Sequence, residues 1–173
     1  GGFVVAKFYR PARWSDAQIL EEHAFTQELA DAEVPAVPPL AVGGRTLHAA
    51  GGHRFALYPR RGGRAPELED RSVREWLGRF IGRIHAVGAG RAFAHRPSLD
   101  IESFGEEPRR YLLASRWLPA ELRDVYAGVV DQALGAVRRC HARAGDVRTI
   151  RLHGDVHVGN VLWTDSGAQP GPH

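Results

Sequence analysis

The sequence predicts an α+β fold in two parts, a small antiparallel-sheet part followed by a mostly helical one. Three observations predict it. Residues 3–9 alternate like a strand and lead at once into a capped helix. Two Gly-Gly pairs then cut residues 40–58 into short strand-like runs. Beyond a turn-rich stretch at 60–70, the apolar spacing changes to a helical period and stays there.

In residues 3–9, Phe3, Val5, Lys7 and Tyr9 share one face and Val4, Ala6 and Phe8 the other. Both faces are largely apolar, so the strand is expected to be buried on both sides, with Lys7 carried inward or toward a ligand. Ser15-Asp16-Ala17-Gln18 has capping-box spacing and predicts a helix to about Ala32. Its apolar stripe is Phe25, Leu29 and Ala32; Glu22 lies on the same stripe and Glu21 is less well aligned. Val34-Pro35 and Pro38-Pro39 end the helix in an extended connector. Gly43-Gly44 and Gly51-Gly52 then separate residues 40–42, 45–50 and 53–58, which predicts a three-strand meander stopped by Pro59.

Residues 60–70 are polar and rich in Gly and Pro, the natural linker between a first part at 1–59 and a helical part at 71–173. Ser72-Val73-Arg74-Glu75 has the spacing of a second capping box. Val73, Trp76, Leu77, Phe80, Ile81, Ile84 and Val87 follow helical spacing, and Gly88 suits the C-terminal cap. Residues 101–113 predict two short helices around Pro108. From Pro119, the positions Leu122, Val125, Tyr126, Val129, Val130, Ala133, Leu134, Val137 and Cys140 predict a long amphipathic helix.

The composition is that of a globular protein, with 43% hydrophobic and 25% charged residues. No run approaches the roughly eighteen apolar residues of a membrane span. The single cysteine, Cys140, excludes an internal disulfide framework and suits a reducing cytoplasm; on an apolar stripe it reads as core filler. The basic pairs Arg60-Arg61 and Arg109-Arg110 are short and lack interleaved aromatics, so neither nucleic acid nor membrane is an expected partner. Lys7 is the only lysine in an arginine-rich chain, which suggests a need for an ammonium group. The chain opens Gly-Gly and contains no Met, and residues 166–173 stop in turn formers; a fragment cut at both ends is expected.

The segment His153-Gly154-Asp155-Val156-His157-Val158-Gly159-Asn160 holds an aspartate and an asparagine five positions apart, between short apolar runs at 149–152 and 161–163. In such a loop one carboxylate can accept a hydroxyl proton while an amide oxygen beside it ligates magnesium. Each feature has a plainer reading. A strand lysine usually snorkels, a helix-stripe glutamate usually sits at a solvated boundary, and Asp and Asn form turns. His153 and His157 lack the helical presentation of a zinc site and show no third ligand nearby, so His153 reads as a packing residue that bonds the loop backbone. Lys7, Glu22, linker, helices, Asp155 and Asn160 come in the order a two-lobed kinase needs.

His-Gly-Asp-x-His-x-Gly-Asn-Val-Leu resembles the catalytic loop of the aminoglycoside phosphotransferase and choline kinase superfamily, enzymes of the two-lobed, protein-kinase-like fold. Ala6-Lys7-Phe8-Tyr9-Arg10-Pro11, Ile19-Leu20-Glu21-Glu22-His23-Ala24-Phe25, Phe55-Ala56-Leu57-Tyr58-Pro59, Gly82-Arg83-Ile84-His85, His95-Arg96-Pro97 and Arg151-Leu152-His153-Gly154-Asp155 narrow the match. Together they resemble the stress response kinase A family, cytoplasmic bacterial serine/threonine protein kinases. The resemblance implies ATP and Mg2+ as cofactors and a protein Ser/Thr hydroxyl as acceptor. It implies Asp155 as base, Asn160 as magnesium ligand, Lys7 on the phosphates with Glu22 as its ion-pair partner, and Tyr58 to Arg60 at the adenine.

The family places a nucleotide-covering loop before the lysine strand and a second magnesium-binding aspartate after the catalytic loop. The chain begins at the strand and ends before that aspartate, and Asp165 comes too early to replace it. Two other readings therefore stand beside the protein kinase. One is a small-molecule kinase with an aminoglycoside, choline or homoserine as acceptor. The other is a truncated, non-catalytic nucleotide-binding fragment that exposes core surface.

Overall fold

The computed structural model describes residues 2–164 and 171–172. It divides into two compact units, Gly1–Arg96 with Thr149–His173, and Pro97–Arg148. The boundaries fall at 96/97 and 148/149 and not within the 60–70 stretch, because the helix after that stretch packs on the first unit and the chain returns to that unit at Thr149.

The first unit holds a three-stranded antiparallel sheet of β1 (Val4–Tyr9), β2 (His48–Ala50) and β3 (His53–Pro59) in the order β1-β3-β2. Lys7 stands opposite Ala56 in the ladder. The expectation that β1 is buried on both sides is corrected: only Tyr9 is buried, and Phe3, Val4, Val5 and Phe8 are exposed. β1 is an edge strand among the described residues, so its apolar alternation finds cover only at its Tyr9 end. The expected strand at 40–42 is also corrected. It reduces to one bridge between Val42 and Arg45 and one bond from Leu40 N–H to the Leu57 carbonyl. Pro38 and Pro39 just before it have no N–H to give a ladder.

Helix α1 (Asp16–Asp31) starts with the expected capping box: Ser15 Oγ accepts from Gln18 N–H, and Gln18 Oε1 accepts from Ser15 N–H. Its N-terminal half places Ile19 in a core with Tyr9 and Ala56, against the sheet. Its C-terminal half places Phe25 and Leu29 in a second core with Val34, Ile84, Val87 and Phe93. One helix thus ties the sheet to α2 (Arg71–Gly88).

In α2 the positions expected on the inward stripe are the less exposed ones, with Val73 buried. Its cap differs from the expectation. Asp70 is the N-cap, accepting from Ser72 N–H at 2.7 Å, so the cap lies two residues before Ser72 and the helix starts at Arg71. Gly88 is no cap either; it is the last helical residue and is buried. A Cβ there would overlap the carbonyl oxygen of Arg151, and the Gly88 carbonyl itself accepts from Arg151 N–H at 3.1 Å.

Residues 60–70 pair with the segment that follows the 153–160 loop: Arg64 and Trp163 exchange backbone hydrogen bonds at 3.0 and 2.8 Å. Beneath them, Gly63 (φ +154°) faces Leu162 with no room for a Cβ. Then β4 (Trp163–Thr164) pairs antiparallel with β5 (Gly171–Pro172). Asp165 and the rest of the expected hairpin turn, 166–170, lie outside the described residues.

The second unit runs through a π-helical turn (Glu102–Glu106) directly into α3 (Glu107–Ala114); the expected break at Pro108 is absent, since Pro108 falls in the first turn of α3. A 3-10 turn at Ala120–Leu122 precedes α4 (Arg123–Ala144). The expected broad stripe of α4 is only half used. Leu134 is buried, Tyr126 and Val130 are half-buried, while Leu122, Val125, Val129 and Val137 are exposed. Cys140 is exposed too, not core filler, because it lies on the part of α4 that nothing covers among the described residues.

Candidate active site

β1 and α1 bring Lys7 and Glu22 together, with Lys7 Nζ 3.1 Å from Glu22 Oε1. The ammonium also lies 5.1 Å from the centre of the Tyr9 ring. Both partners remain partly open, at 48% and 32% side-chain exposure, so the pair is accessible to a ligand. Glu22 has a second partner: Arg96 Nη1 lies 3.0 Å from Oε2.

Behind the pair sits a buried polar network. Tyr9 Oη lies 2.8 Å from His23 Nε2 and 3.3 Å from Tyr58 Oη, and His23 Nδ1 lies 2.9 Å from Thr46 Oγ1. Burial and the Tyr58 hydroxyl push the Tyr9 phenol well above its usual range. Burial holds the His23 imidazole below its usual value, against the pull of Glu22. Tyr58, expected near the adenine, thus has its hydroxyl committed to this network and its backbone opposite Val5. Arg60 follows β3, exposed, with its guanidinium 5.8 Å from the Phe3 ring centre.

The loop at 153–160 is held by its own histidines. Asp155 N–H donates to His153 Nδ1 at 3.2 Å, and Gly159 N–H donates to His157 Nδ1 at 3.1 Å. His153 bonds the loop backbone as expected, but it is exposed and packs into no core. Gly154 sits at φ +81°, where a side chain is disfavoured. A Cβ at Gly159 would meet the His157 ring, so that glycine lets the ring close over the turn. These contacts bring the two expected groups together: Asn160 Nδ2 donates to the Asp155 carbonyl at 2.9 Å and to Asp155 Oδ2 at 3.1 Å.

Two residues before the loop the chain is anchored more firmly. Arg151 is 3% exposed; it pairs with Glu28 Oε2 at 2.8 Å, donates to the Val87 carbonyl, and stacks 4.3 Å from the Phe25 ring centre. The hydrogen bond from Arg151 holds the Glu28 carboxyl below its usual range. The roles of Arg96 and Arg151 were not read from the sequence. The only local signal was that each sits in a stretch bearing the family resemblance.

Asn160 keeps its amide oxygen for a divalent cation, since its nitrogen is the atom that faces Asp155, and magnesium readily takes waters and phosphate oxygens as its other ligands. Among the described residues, no three His, Cys, Asp or Glu side chains cluster into a fuller metal site.

Residues 1–171 match the phosphotransferase enzyme family. The chain belongs to this family. It is 42% identical over 161 residues to stress response kinase A of Salmonella choleraesuis (strain SC-B67), and 40% identical to that of Escherichia coli (strain K12). The similarly matched relative of Salmonella typhimurium is called serine/threonine protein kinase RdoA, at 42% identity. Each alignment covers 93% of this chain and 48% of the relative, so the chain spans about half the length of the curated relatives it matches.

Two solved structures share the fold. The amicoumacin kinase hAmiN, in complex with AMP-PNP, Ca2+ and Ami, superposes with a TM-score of 0.67 at 18% identity, covering 100% of this chain and 54% of that one. A microcompartment-associated aminopropanol kinase gives 0.72 at 19%, with coverages of 98% and 55%. The α+β, kinase-like fold expected from the sequence is the fold that this chain shares with these two kinases.

Proposed function

We propose that this chain carries the phosphoryl-transfer site of an ATP-dependent kinase whose acceptor is a serine or threonine hydroxyl of a protein, acting in a bacterial stress response in the cytoplasm. The observation that carries the reading is the direct contact of Asp155 with Asn160, in the same compact unit as the Lys7–Glu22 pair.

In this reading Asp155 accepts the proton of the attacking hydroxyl, and its exposed carboxylate is reachable by a bulky acceptor. Asn160 donates through nitrogen to that carboxylate, so its amide oxygen is the atom that would hold Mg2+. When bound, the cation would neutralise charge that develops on the phosphates. Lys7 contacts the phosphates, and Glu22 fixes the direction of its ammonium. Tyr58 and Arg60, at the end of β3, border the adenine. Sequence identity of 40–42% to kinases called stress response or serine/threonine protein kinase supports a protein acceptor.

The second reading, a small-molecule hydroxyl kinase, draws on structural neighbours that bear the names of an amicoumacin and an aminopropanol kinase. Radiolabelled-ATP transfer, with protein and small-molecule acceptors in parallel, separates the two. Asp155→Ala is expected to lower transfer by about 100- to 10,000-fold while nucleotide still binds. Undiminished turnover in that variant would falsify the base assignment, and label appearing only in the small acceptor would favour the second reading.

A further inference from the structure

We propose that Arg96 is a positioning residue for the Lys7–Glu22 pair, acting through Glu22. The proposal rests on the reading of Lys7 as the phosphate-contacting lysine.

A carboxylate held at one oxygen can still swing about its side-chain torsions. Glu22 is held at both, by Lys7 at Oε1 and by Arg96 at Oε2. Arg96 is in turn a fixed partner and not a loose surface cation. Its guanidinium lies 4.4 Å from the Trp14 ring centre, and its side chain is only 21% exposed. Its backbone N–H donates to Glu21 Oε2 at 2.8 Å. Glu21 also accepts from Ala94 N–H and His95 N–H at 2.5 and 2.9 Å, and Gln18 Nε2 donates to the His95 carbonyl at 3.0 Å.

Gln18, Glu21 and Glu22 lie at i, i+3 and i+4, on one face of α1. That face grips residues 94–96 by their backbone and then receives the Arg96 side chain on Glu22. The charge arithmetic matters as well. Lys7 and Glu22 alone sum to zero, whereas Lys7, Glu22 and Arg96 sum to +1. With Glu21 the wider cluster is neutral, so what Arg96 does is share the Glu22 charge and leave the Lys7 ammonium less neutralised while holding it still. Arginine suits this task, since its planar fork stays charged and stacks on Trp14 while it bonds the carboxylate.

Because Lys7 is the only lysine in the chain, 13Cε-lysine labelling gives one side-chain signal that reports on this site directly. Lys7→Ala removes the signal and so assigns it. Arg96→Gln is expected to shift it in the same direction as Glu22→Gln, and the double variant to shift it no further than Glu22→Gln alone. Glu21→Gln, which weakens the hold on residues 94–96, is expected to give a smaller shift of the same sign. In equilibrium binding, Arg96→Gln should weaken MgATP by about 3- to 10-fold, the scale of one ordinary net hydrogen bond, because Arg96 acts only through Glu22. Arg96→Lys should recover part of that loss.

An unmoved Lys7 signal in Arg96→Gln, or fully additive shifts in the double variant, overturns the proposal. Should Arg96→Gln not fold, an unmoved signal in Glu21→Gln overturns it instead. A Lys7 signal that MgATP leaves unmoved in the unsubstituted chain refutes the phosphate-contact reading. The nucleotide-free shifts still decide the Arg96–Glu22 link in that case.

Discussion

Burial lowers the proton affinity of His23, whose ring nitrogens meet the Tyr9 and Thr46 hydroxyls. An unfolded histidine takes up its proton near pH 6.5, and the folded one only at lower pH. Below pH 6.5 the unfolded state therefore binds more protons, so stability is full above that value and falls as the solution is acidified. Urea midpoints at pH 7.5, 6.5 and 5.5 should decline on the acid side, and less steeply in His23→Gln than in the unsubstituted chain. An equal slope in both removes His23 from the network's energetics. At this scale the structure pairs Lys7 with Glu22 and Asp155 with Asn160, residues the sequence picked out by local signatures: a lone lysine in a strand, a glutamate on a helix stripe, two polar residues five apart. Glu21, Arg96 and Arg151 were not picked out. Their partners lie 75, 74 and 123 positions away, and no periodicity links residues so far apart.

Helices were legible from spacing, but their ends were decided by contacts across the fold. In α2 the inward positions follow the sequence stripe, while Asp70 takes the cap from Ser72 and Gly88 serves close approach to Arg151. Two glycines of this helix should then behave oppositely. Gly88→Ala pushes a methyl group into the Arg151 carbonyl and should cost about 1–3 kcal/mol. Gly82 faces open space, so Gly82→Ala should stabilise by roughly 0.5–1 kcal/mol through helix propensity alone. Urea unfolding of both variants checks the pair, and a neutral Gly88→Ala would show that α2 can move away from the Arg151 segment. The strands were less legible than the helices. Alternation in β1 was read as two-sided burial, but alternation states only that both faces are apolar, not that partners exist to cover them.

At the scale of the whole molecule, the sequence placed the division in the polar stretch at 60–70, because composition changes there. The fold divides elsewhere because the chain re-enters its first unit at Thr149, and no residue pattern announces a return. The second unit leaves Val125 and Val129 of α4 exposed, one turn apart. Val125→Ser with Val129→Ser should leave the unfolding free energy in urea within about 0.5 kcal/mol of the unsubstituted chain, since surface changes rarely exceed that, and a larger loss would show that these side chains are covered. The returning segment is fastened at both ends, at Arg151 to the Gly88 carbonyl and at Trp163 to Arg64. The cost of closing such a span grows only with the logarithm of its length, and folding meets it once, before any ligand arrives. Nucleotide should therefore associate with little additional loss of chain entropy from residues 152–162, and a calorimetric binding signature should be free of the large ordering penalty that a slack loop imposes.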